Sequence, residues 1–130
     1  MGAVLLDTHV VHWWSAEPER VSAPARDALE QADELAVAAI SWFELAWLVH
    51  NRRIQLGVPI RSWLDGLAAQ LRTIGVTPAI ADTAVALPPS FPGDPADRMI
   101  YATAVENDLL LVTKDRAIRK HAESRSRAIW

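Results

Sequence analysis

Acidic residues stand at the places where predicted strands end or predicted helices begin. Asp7 follows the first apolar run of the chain directly, and Asp115 comes two residues after the last clear strand. Glu44 lies one turn into the helix that follows the second strand, and Asp94 and Asp97 lie at a later helix start. Parallel strands present their carboxyl ends at one edge of a sheet. We therefore expect these carboxylates to meet there, provided that the helix of Asp97 begins at the same edge.

A cluster of carboxylates is stable only if its charge is compensated. Two carboxylates about 5 Å apart repel each other by roughly 3 kcal/mol at an effective dielectric constant of 20. The chain has no cysteine and no clustered histidines, and oxygen ligands alone favour Mg²⁺ or Mn²⁺. Such a site polarises a water and stabilises the leaving oxygen of a phosphoryl displacement. The acids therefore predict metal-dependent hydrolysis of a phosphate ester.

Other polar residues beside the acids are candidates for supporting roles. Thr8 and Thr113 are candidates for orienting the water or holding the metal, and Arg98 and Lys114 for contacting the substrate phosphate. Six of the thirteen Lys and Arg residues fall between positions 114 and 127. An acidic site beside a basic segment suits a phosphate-rich substrate.

Most of the acids also have a simpler interpretation as helix caps. Ser41 and Glu44 have the spacing of a capping box. Asp94 is an N-cap candidate, with Pro95 at the first helical position. Asp115 precedes the last predicted helix and is a candidate cap for it.

Two functions other than metal-dependent hydrolysis by these acids remain open at this point. If the acids only cap helices, the chain is a non-catalytic module that binds a partner protein through its apolar helices. A strand ending in Asp7 is also typical of haloacid-dehalogenase-like Mg²⁺ phosphatases, which need a second Asp where this chain has His9. Capping explains Asp7 less well than the other acids, because the better cap residue Thr8 is adjacent.

The elements that must position these residues alternate between strands and helices. Strands are predicted at 4–6, 35–40, 74–77, 109–113 and 127–130. Helices are predicted at 8–14, 23–32, 41–51, 60–73, 80–87, 97–107 and 116–124, and 88-PPSFPGDP-95 is predicted to be a loop. The alternation indicates an α/β fold, a three-layer α/β/α sandwich with a central, mostly parallel sheet.

The composition indicates one folded domain over residues 1–130. Half of the residues, 51%, are hydrophobic, which is enough for a core. The N-terminus lacks the positive segment of a signal peptide, and no run approaches the roughly 20 apolar residues of a membrane helix. We expect a soluble, cytoplasmic protein without a membrane contact, and the absence of cysteine fits a reducing compartment.

Three sequence blocks resemble one known family. The blocks 5-LLDTHVVHW-13, 41-SWFELAWL-48 and 94-DPADRMIYATAVENDLLLVTKD-115 are similar to the PIN-domain family, and more narrowly to VapC-type toxins of bacterial toxin–antitoxin pairs. The resemblance covers essentially the whole chain in order and length. It implies a three-layer α/β/α fold and a Mg²⁺- or Mn²⁺-dependent endoribonuclease that acts on RNA.

The resemblance also implies roles for individual residues. The family's acidic quartet matches Asp7, Glu44, Asp97 and Asp115, which would hold the metal and carry catalysis. Asp94 matches an auxiliary acid of the same branch. The chain departs from many relatives two residues before Asp94, where Pro92 replaces a His.

The helix predicted at 41–51 is apolar on almost every side. Phe43, Leu45, Trp47 and Leu48 lie among other apolar residues around its circumference. A helix that is apolar all round is buried all round, which in a chain of this size indicates that a partner covers part of it. The resemblance implies two partners, a second copy in a homodimer and a cognate antitoxin that binds a groove near these helices.

Overall fold

A five-stranded sheet, in which every neighbouring pair of strands is parallel, forms the centre of the molecule. The computed structural model describes residues 2–122 and 127–130. The strands are β1 (Ala3–Leu6), β2 (Glu34–Ala38), β3 (Arg72–Ile74), β4 (Leu110–Val112) and β5 (Ala128–Ile129). Their spatial order is β3-β2-β1-β4-β5. The order reverses between β1 and β4, and a doubly wound sheet of this kind binds its ligands at the carboxyl ends of those two strands.

The described residues form seven α-helices between and after these strands. They are α1 (Thr8–Ala16), α2 (Ala23–Gln31), α3 (Ala39–His50), α4 (Ile60–Ala68), α5 (Pro78–Ala86), α6 (Pro95–Glu106) and α7 (Arg116–Ala122). A single 3₁₀ turn (Pro18–Arg20) follows α1. No helix in the described ranges has the length and apolarity that crossing a membrane requires.

Two apolar layers cover the two faces of the sheet. Val4 and Leu6 of β1 point into a core shared with helices α1 to α4, where Leu45 is fully buried. Leu5 points to the opposite face and packs with Ile100 of α6 and with α7. Side chains of a strand alternate between faces, and helices pack on both. The predicted three-layer α/β/α sandwich with a parallel sheet is therefore confirmed.

Element boundaries differ from the predictions where tertiary pairing overrides the local pattern. The helix predicted at 60–73 ends at Ala68, because Arg72–Ile74 pairs with β2 as strand β3 instead of continuing the helix. The strand predicted at 74–77 therefore lies earlier than expected. Helix α3 begins at Ala39, two residues before the predicted start. Positions 123 and 124, the predicted end of the last helix, lie outside the described residues.

Candidate active site

The predicted acids meet in one cavity at the edge where the strand order reverses. This cavity, called here the acid pocket, has a volume of about 640 Å³. Its walls include all five acids that the sequence singled out, Asp7, Glu44, Asp94, Asp97 and Asp115. The expectation that the helix of Asp97 begins at this edge is thus confirmed. Thr8 and Lys114, two of the candidate supporting residues, line the same cavity.

Asp7 is fixed at the rim of the sheet by its backbone and by both carboxylate oxygens. Its N–H donates to the carbonyl of Val112, which extends the β1–β4 pairing by one residue. Oδ1 accepts from the backbone N–H of Thr8 at 2.8 Å, and Oδ2 accepts from the hydroxyl of Thr113 at 2.6 Å. Asp7 is therefore the N-cap of α1. The argument that Thr8 would be the preferred cap was wrong, because Thr8 is the first helical residue and directs its hydroxyl elsewhere.

The two hydrogen bonds only partly offset the cost of burying this carboxylate. Burial raises the pKa of Asp7, and the bonds from Thr113 and Thr8 lower it by less, so that the pKa stays above its ordinary value. The negative charge of Asp115 adds to the rise. A nearby positive charge would therefore stabilise the ionised form of Asp7.

A chain of hydroxyls holds Glu44. The hydroxyl of Thr8 donates to Oε1 of Glu44 at 2.6 Å, and Oγ of Ser41 lies 2.9 Å from the same Thr8 oxygen. Since the single proton of Thr8 goes to Glu44, Ser41 must donate to Thr8. Both hydroxyl residues are buried. The alternative of a Ser41–Glu44 capping box is wrong, because the N-cap of α3 is Ala38 and Glu44 lies in the second helical turn.

The other three acids differ in how they are held. Asp94 caps α6 by accepting from the N–H of Ala96 at 2.8 Å, with Pro95 at the first helical position, as predicted. Asp115 accepts from the N–H of Ile118 at 3.0 Å and so caps α7, as the alternative interpretation proposed. Asp97 accepts no hydrogen bond from the described residues. Capping is therefore real for Asp94 and Asp115 and does not prevent either side chain from facing the pocket.

Asp97 is influenced by all four of the other acids. Burial, followed by the charges of Asp7, Asp94, Asp115 and Glu44, raises the pKa of Asp97 to about 7. Four neighbouring carboxylates thus act on a single group. Burial likewise raises the pKa of Glu44, with the charges of Asp7 and Asp94 contributing further.

The chemistry of the donor set suits a hard divalent cation. The walls of the pocket offer carboxylate oxygens and, among the lining side chains of the five acids, no sulfur; burial, with the charges of neighbouring carboxylates adding to it, raises the pKa values of Asp7, Glu44 and Asp97. Within residues 2–122 and 127–130, no three of these side chains already form a ready-made ligand set. Glu44 and Asp97 are only partly buried, and both line the acid pocket.

Arg98 has a structural role that the sequence did not reveal. Its guanidinium donates all five N–H bonds to carbonyls of the loop between α5 and α6 and the adjacent end of α5. The acceptors are the carbonyls of Ala84, Leu87, Pro88, Phe91 and Pro92, at 3.0 to 3.4 Å. The prediction that Arg98 contacts the substrate phosphate is wrong, because no donor of this side chain is left for a ligand. Pro92, the position where many relatives have a His, supplies one of these carbonyls.

At the rim of the acid pocket, two cationic side chains lie over the ring of a tryptophan. The Cζ atom of Arg20 lies 4.8 Å from the ring centroid of Trp13, and Nζ of Lys114 lies 5.6 Å from it. Lys114 was a predicted phosphate contact, whereas Arg20 and Trp13 were missed. No motif marks Arg20, which reaches the pocket from the 3₁₀ turn after α1. Ser41 was detectable, since it lies three residues before Glu44 on the same helix.

Thr113 supports the site from within the protein. Its side chain is fully buried, and its hydroxyl donates to Asp7 while accepting from the N–H of Asp115 at 3.1 Å. A hydroxyl in this position orients two of the acids. The predicted alternatives for Thr113, holding a metal or orienting water directly, do not fit a side chain whose proton is bound to Asp7.

An apolar groove borders the acid pocket. It has a volume of about 420 Å³, shares Thr8, Glu44 and Asp94 with the acid pocket, and is otherwise lined mainly by apolar side chains of α3 and α6. Phe43 and Trp47 are 67% and 46% exposed, although α3 lies against the core through Leu45. Trp42 is partly buried, and its indole N–H donates to Thr73. The helix that was predicted to be apolar on almost every side therefore has an exposed apolar face, the one that carries Phe43 and Trp47.

Comparison with known proteins gives this geometry a family. The sequence model of the PIN domain matches residues 4–124 of the chain. The chain belongs to the PIN-domain family. Ribonuclease VapC22 of Mycobacterium tuberculosis (strain ATCC 25618 / H37Rv) is 63% identical to this PIN-domain protein over 130 residues, which is the whole length of both chains. The chain is accordingly a homologue of the VapC ribonuclease toxins, and the family resemblance predicted from the sequence is confirmed.

Solved structures support the fold of this PIN-domain protein. A toxin–antitoxin complex from Klebsiella pneumoniae aligns with a TM-score of 0.70 at 22% identity, covering 98% of this chain and 96% of that one. The structure of VapBC2 from Rickettsia felis bound to a promoter DNA fragment aligns with a TM-score of 0.66 at 18% identity, covering 93% and 92%. PIN-domain nucleases depend on divalent metal ions.

Proposed function

We propose that this PIN-domain protein is the ribonuclease toxin of a toxin–antitoxin pair and cleaves RNA internally with Mg²⁺ or Mn²⁺. The observation that carries the proposal is the convergence of carboxylates from separate parts of the chain on one pocket at the switch point of the sheet. Caps alone do not require their carboxylates to share a cavity. Burial together with the charges of the four other acids in this pocket raises the pKa of Asp97 to about 7.

Asp7, Glu44, Asp97 and Asp115 are the proposed ligands and catalytic groups, with Asp94 as an auxiliary acid. A bound Mg²⁺ or Mn²⁺ supplies a Lewis acid that activates water and offsets charge on the phosphate. Thr113 and Thr8 orient the carboxylates of Asp7 and Glu44 by the 2.6 Å hydrogen bonds that they donate. Lys114 and Arg20, at the pocket rim, bind the phosphate of the incoming strand.

The decisive experiment is cleavage of purified total RNA by the wild-type chain with and without EDTA. We expect cleavage in Mg²⁺ or Mn²⁺, no cleavage in EDTA, and recovery when excess metal is added back. Asp7→Asn is expected to abolish cleavage, whereas Asp27→Asn, an exposed acid of α2 outside the pocket, leaves it unchanged. Cleavage that survives EDTA overturns the metal mechanism.

The alternative functions give different results in the same assay. A haloacid-dehalogenase-like phosphatase would hydrolyse p-nitrophenyl phosphate and leave RNA intact. A non-catalytic module would do neither and would respond to Asp7→Asn only through the stability of α1. The structure favours neither alternative, because His9 occupies the place of the phosphatase's second Asp and the caps face a common pocket.

The proposed protein partner is an antitoxin that covers the apolar groove. Phe43 and Trp47 are exposed there, and Glu44 and Asp94 connect the groove to the acid pocket. A partner segment with apolar side chains for the groove and a positive charge for the pocket complements both. We propose further that two copies associate as a homodimer and that the protein acts in the cytoplasm, where its RNA substrates are.

Co-purification tests the antitoxin. A tagged product of the neighbouring open reading frame should retain the wild-type chain and inhibit its ribonuclease. Phe43→Ser should weaken that complex, whereas Val85→Ser, an equally exposed apolar residue on α5, should not. An inhibitor that binds both variants equally well would place the antitoxin elsewhere. Sedimentation analysis of the free chain measures the proposed dimer.

A further inference from the structure

A second cavity with the opposite charge lies at the edge of the sheet beside β5. It has a volume of about 750 Å³, and its walls include Arg116, Arg119 and Lys120 of α7 together with Trp130. We call it the cationic groove, defined by these four residues. The chain as a whole has a net charge of −3, so this concentration of cations is a local feature of one surface.

Among the described residues, no acid pairs with the cations of this groove. In the part of the chain that the structure describes, neither Arg116, Arg119 nor Lys120 forms an ion pair. The side chain of Arg119 has a buried Nε without an acceptor among the described residues, and its one hydrogen bond to those residues is from Nη2 to the carbonyl of Lys114 at 3.4 Å. Three cations in one groove therefore keep their capacity to bind anions.

Two tryptophans in tilted contact connect the cationic groove to the acid pocket. The rings of Trp13 and Trp130 lie 5.7 Å apart at 58°. Trp13 lines the acid pocket and Trp130 lines the cationic groove. Arg20 and Lys114 lie over the Trp13 ring, so cations border the aromatic pair on the acid-pocket side as well. The contact between the two rings therefore links the walls of the two cavities.

We propose that the cationic groove is a second RNA-binding site, which holds the single-stranded RNA as it leaves the acid pocket. Phosphates of the strand bind Arg116, Arg119 and Lys120, and a base stacks on Trp130. This inference rests on the proposed ribonuclease function. It adds where the part of the RNA outside the acid pocket binds.

A single-stranded nucleic acid fits this surface better than an acidic peptide does. Regularly spaced phosphates with unstacked bases match a run of cations beside aromatic rings, and such sites bind with little sequence preference. The Trp13–Trp130 contact also links the groove to the pocket in which the scissile phosphate would lie. Contacts of this kind strengthen binding of the strand without touching the reacting atoms.

The test is binding of a fluorescein-labelled, 12-nucleotide single-stranded RNA of mixed sequence. Fluorescence anisotropy measures the binding, in EDTA so that the strand stays intact. The double variant Arg116→Gln/Lys120→Gln removes two exposed charges of the groove. Its matched control is Arg53→Gln/Arg61→Gln, which removes two exposed cations far from both cavities. Both pairs leave the core intact.

We expect the Kd of the groove variant to rise on the order of tenfold at about 0.1 M salt. Its slope of log Kd against log salt should fall by roughly 1.4, or about 0.7 for each lost contact with a single strand. The control should bind like the wild type. Cleavage of a dinucleotide in Mg²⁺, a substrate that fills only the acid pocket, should be unchanged in the groove variant, while KM for the 12-mer rises.

Failure of this inference is distinguishable from failure of the proposed function. If the wild type cleaves RNA but the groove variant keeps the Kd and the salt slope of the wild type, the groove is not an RNA site and the nuclease stands. If the variant loses affinity for the antitoxin and not for RNA, the groove binds an acidic protein segment and the inference is likewise overturned. If the wild type does not cleave RNA at all, the proposed function fails.

Discussion

The hydroxyl of Thr113 donates a 2.6 Å hydrogen bond to Oδ2 of Asp7, joining residues 106 positions apart in the chain. The bond connects the ends of β1 and β4, the two strands between which the strand order reverses. Thr113 is itself held by the bond from its N–H to the carbonyl of Ile129 in β5. Asp7 is therefore oriented by Thr113, a buried side chain that cannot reach the substrate.

Thr113→Val removes this hydrogen bond with little change of volume. Because the bond lowers the pKa of Asp7, its loss should raise that pKa further and shift the acid limb of the pH–rate profile to higher pH. The stability should fall by about 2 kcal/mol. The pH dependence of RNA cleavage measures the first effect and urea unfolding the second. Thr83→Val, which removes an exposed hydrogen bond to Glu106, should change neither the pH–rate profile nor the stability. If Thr113→Val also leaves the acid limb in place, Thr113 does not set the pKa of Asp7.

Asp97 should make the metal-free protein less stable as the pH rises. Its pKa in the folded chain is about 7, against an ordinary value of 3.8 for an aspartate, so the folded state binds the proton more tightly than the unfolded state. The stabilisation is complete below about pH 3.8 and is lost as the pH rises through about 7. We expect Tm in EDTA to fall between these values, and to fall less steeply in Asp97→Asn. Equal slopes for the two proteins would show that Asp97 does not carry this effect.

Divalent metal should reverse that loss. A cation that binds only the folded chain stabilises it by about 2.7 kcal/mol at a concentration 100 times its Kd. We expect Mg²⁺ or Mn²⁺ to raise Tm by several degrees at pH 8, where the carboxylates are ionised. Asp97→Asn should reduce the shift and Asp27→Asn should keep it. Calorimetry with each metal measures the effect, and a Tm that does not respond in the wild type counts against a metal site in the acid pocket.

Arg98→Ala should be destabilising for a reason unrelated to RNA. The five hydrogen bonds of the guanidinium order the loop that ends at Asp94. Their loss should cost about 3 kcal/mol of unfolding free energy. Arg61→Ala, which removes an exposed pair with Asp65, should change stability by less than about 0.5 kcal/mol. Denaturant unfolding compares the two. An Arg98→Ala protein with full stability and weaker RNA binding would restore the original prediction of a phosphate contact.

Much of the fold was predictable because its signals are local. Buried parallel strands appear as short apolar runs such as 109-LLLVT-113, and helices carry the 3.6-residue period or a proline at their first turn, as at Pro95. Those strand ends were enough to predict that Asp7, Glu44 and Asp115 would share an edge, whereas the position of Asp94 and Asp97 there had to be assumed. The boundary between α4 and β3 was missed, because pairing with β2 decides it and amphipathic periodicity continues through it.

The parts of the site that sequence reasoning missed depend on contacts between distant segments. Arg98 follows Asp97 directly, so its charge appeared available to a substrate, and only the folded loop reveals that carbonyls consume its donors. Arg20 and Trp13 belong to no motif and reach the pocket through the turn after α1. For the same reason the N-cap of α1 was misassigned, since the preference of Thr8 for that position yields to its bond with Glu44.

The double use of Asp7, Asp94 and Asp115 as helix caps bears on how relatives of this protein can change during evolution. A descendant that no longer cleaved anything would still lose about 1 kcal/mol on replacing any one of the three, so selection for folding alone would preserve them. Glu44 and Asp97 accept no backbone N–H from the described residues, so folding constrains them less: Glu44 is tied to the fold by the hydroxyl of Thr8, and Asp97 accepts no hydrogen bond from those residues. The identity of those two positions, more than the first aspartate, should separate working family members from silent ones.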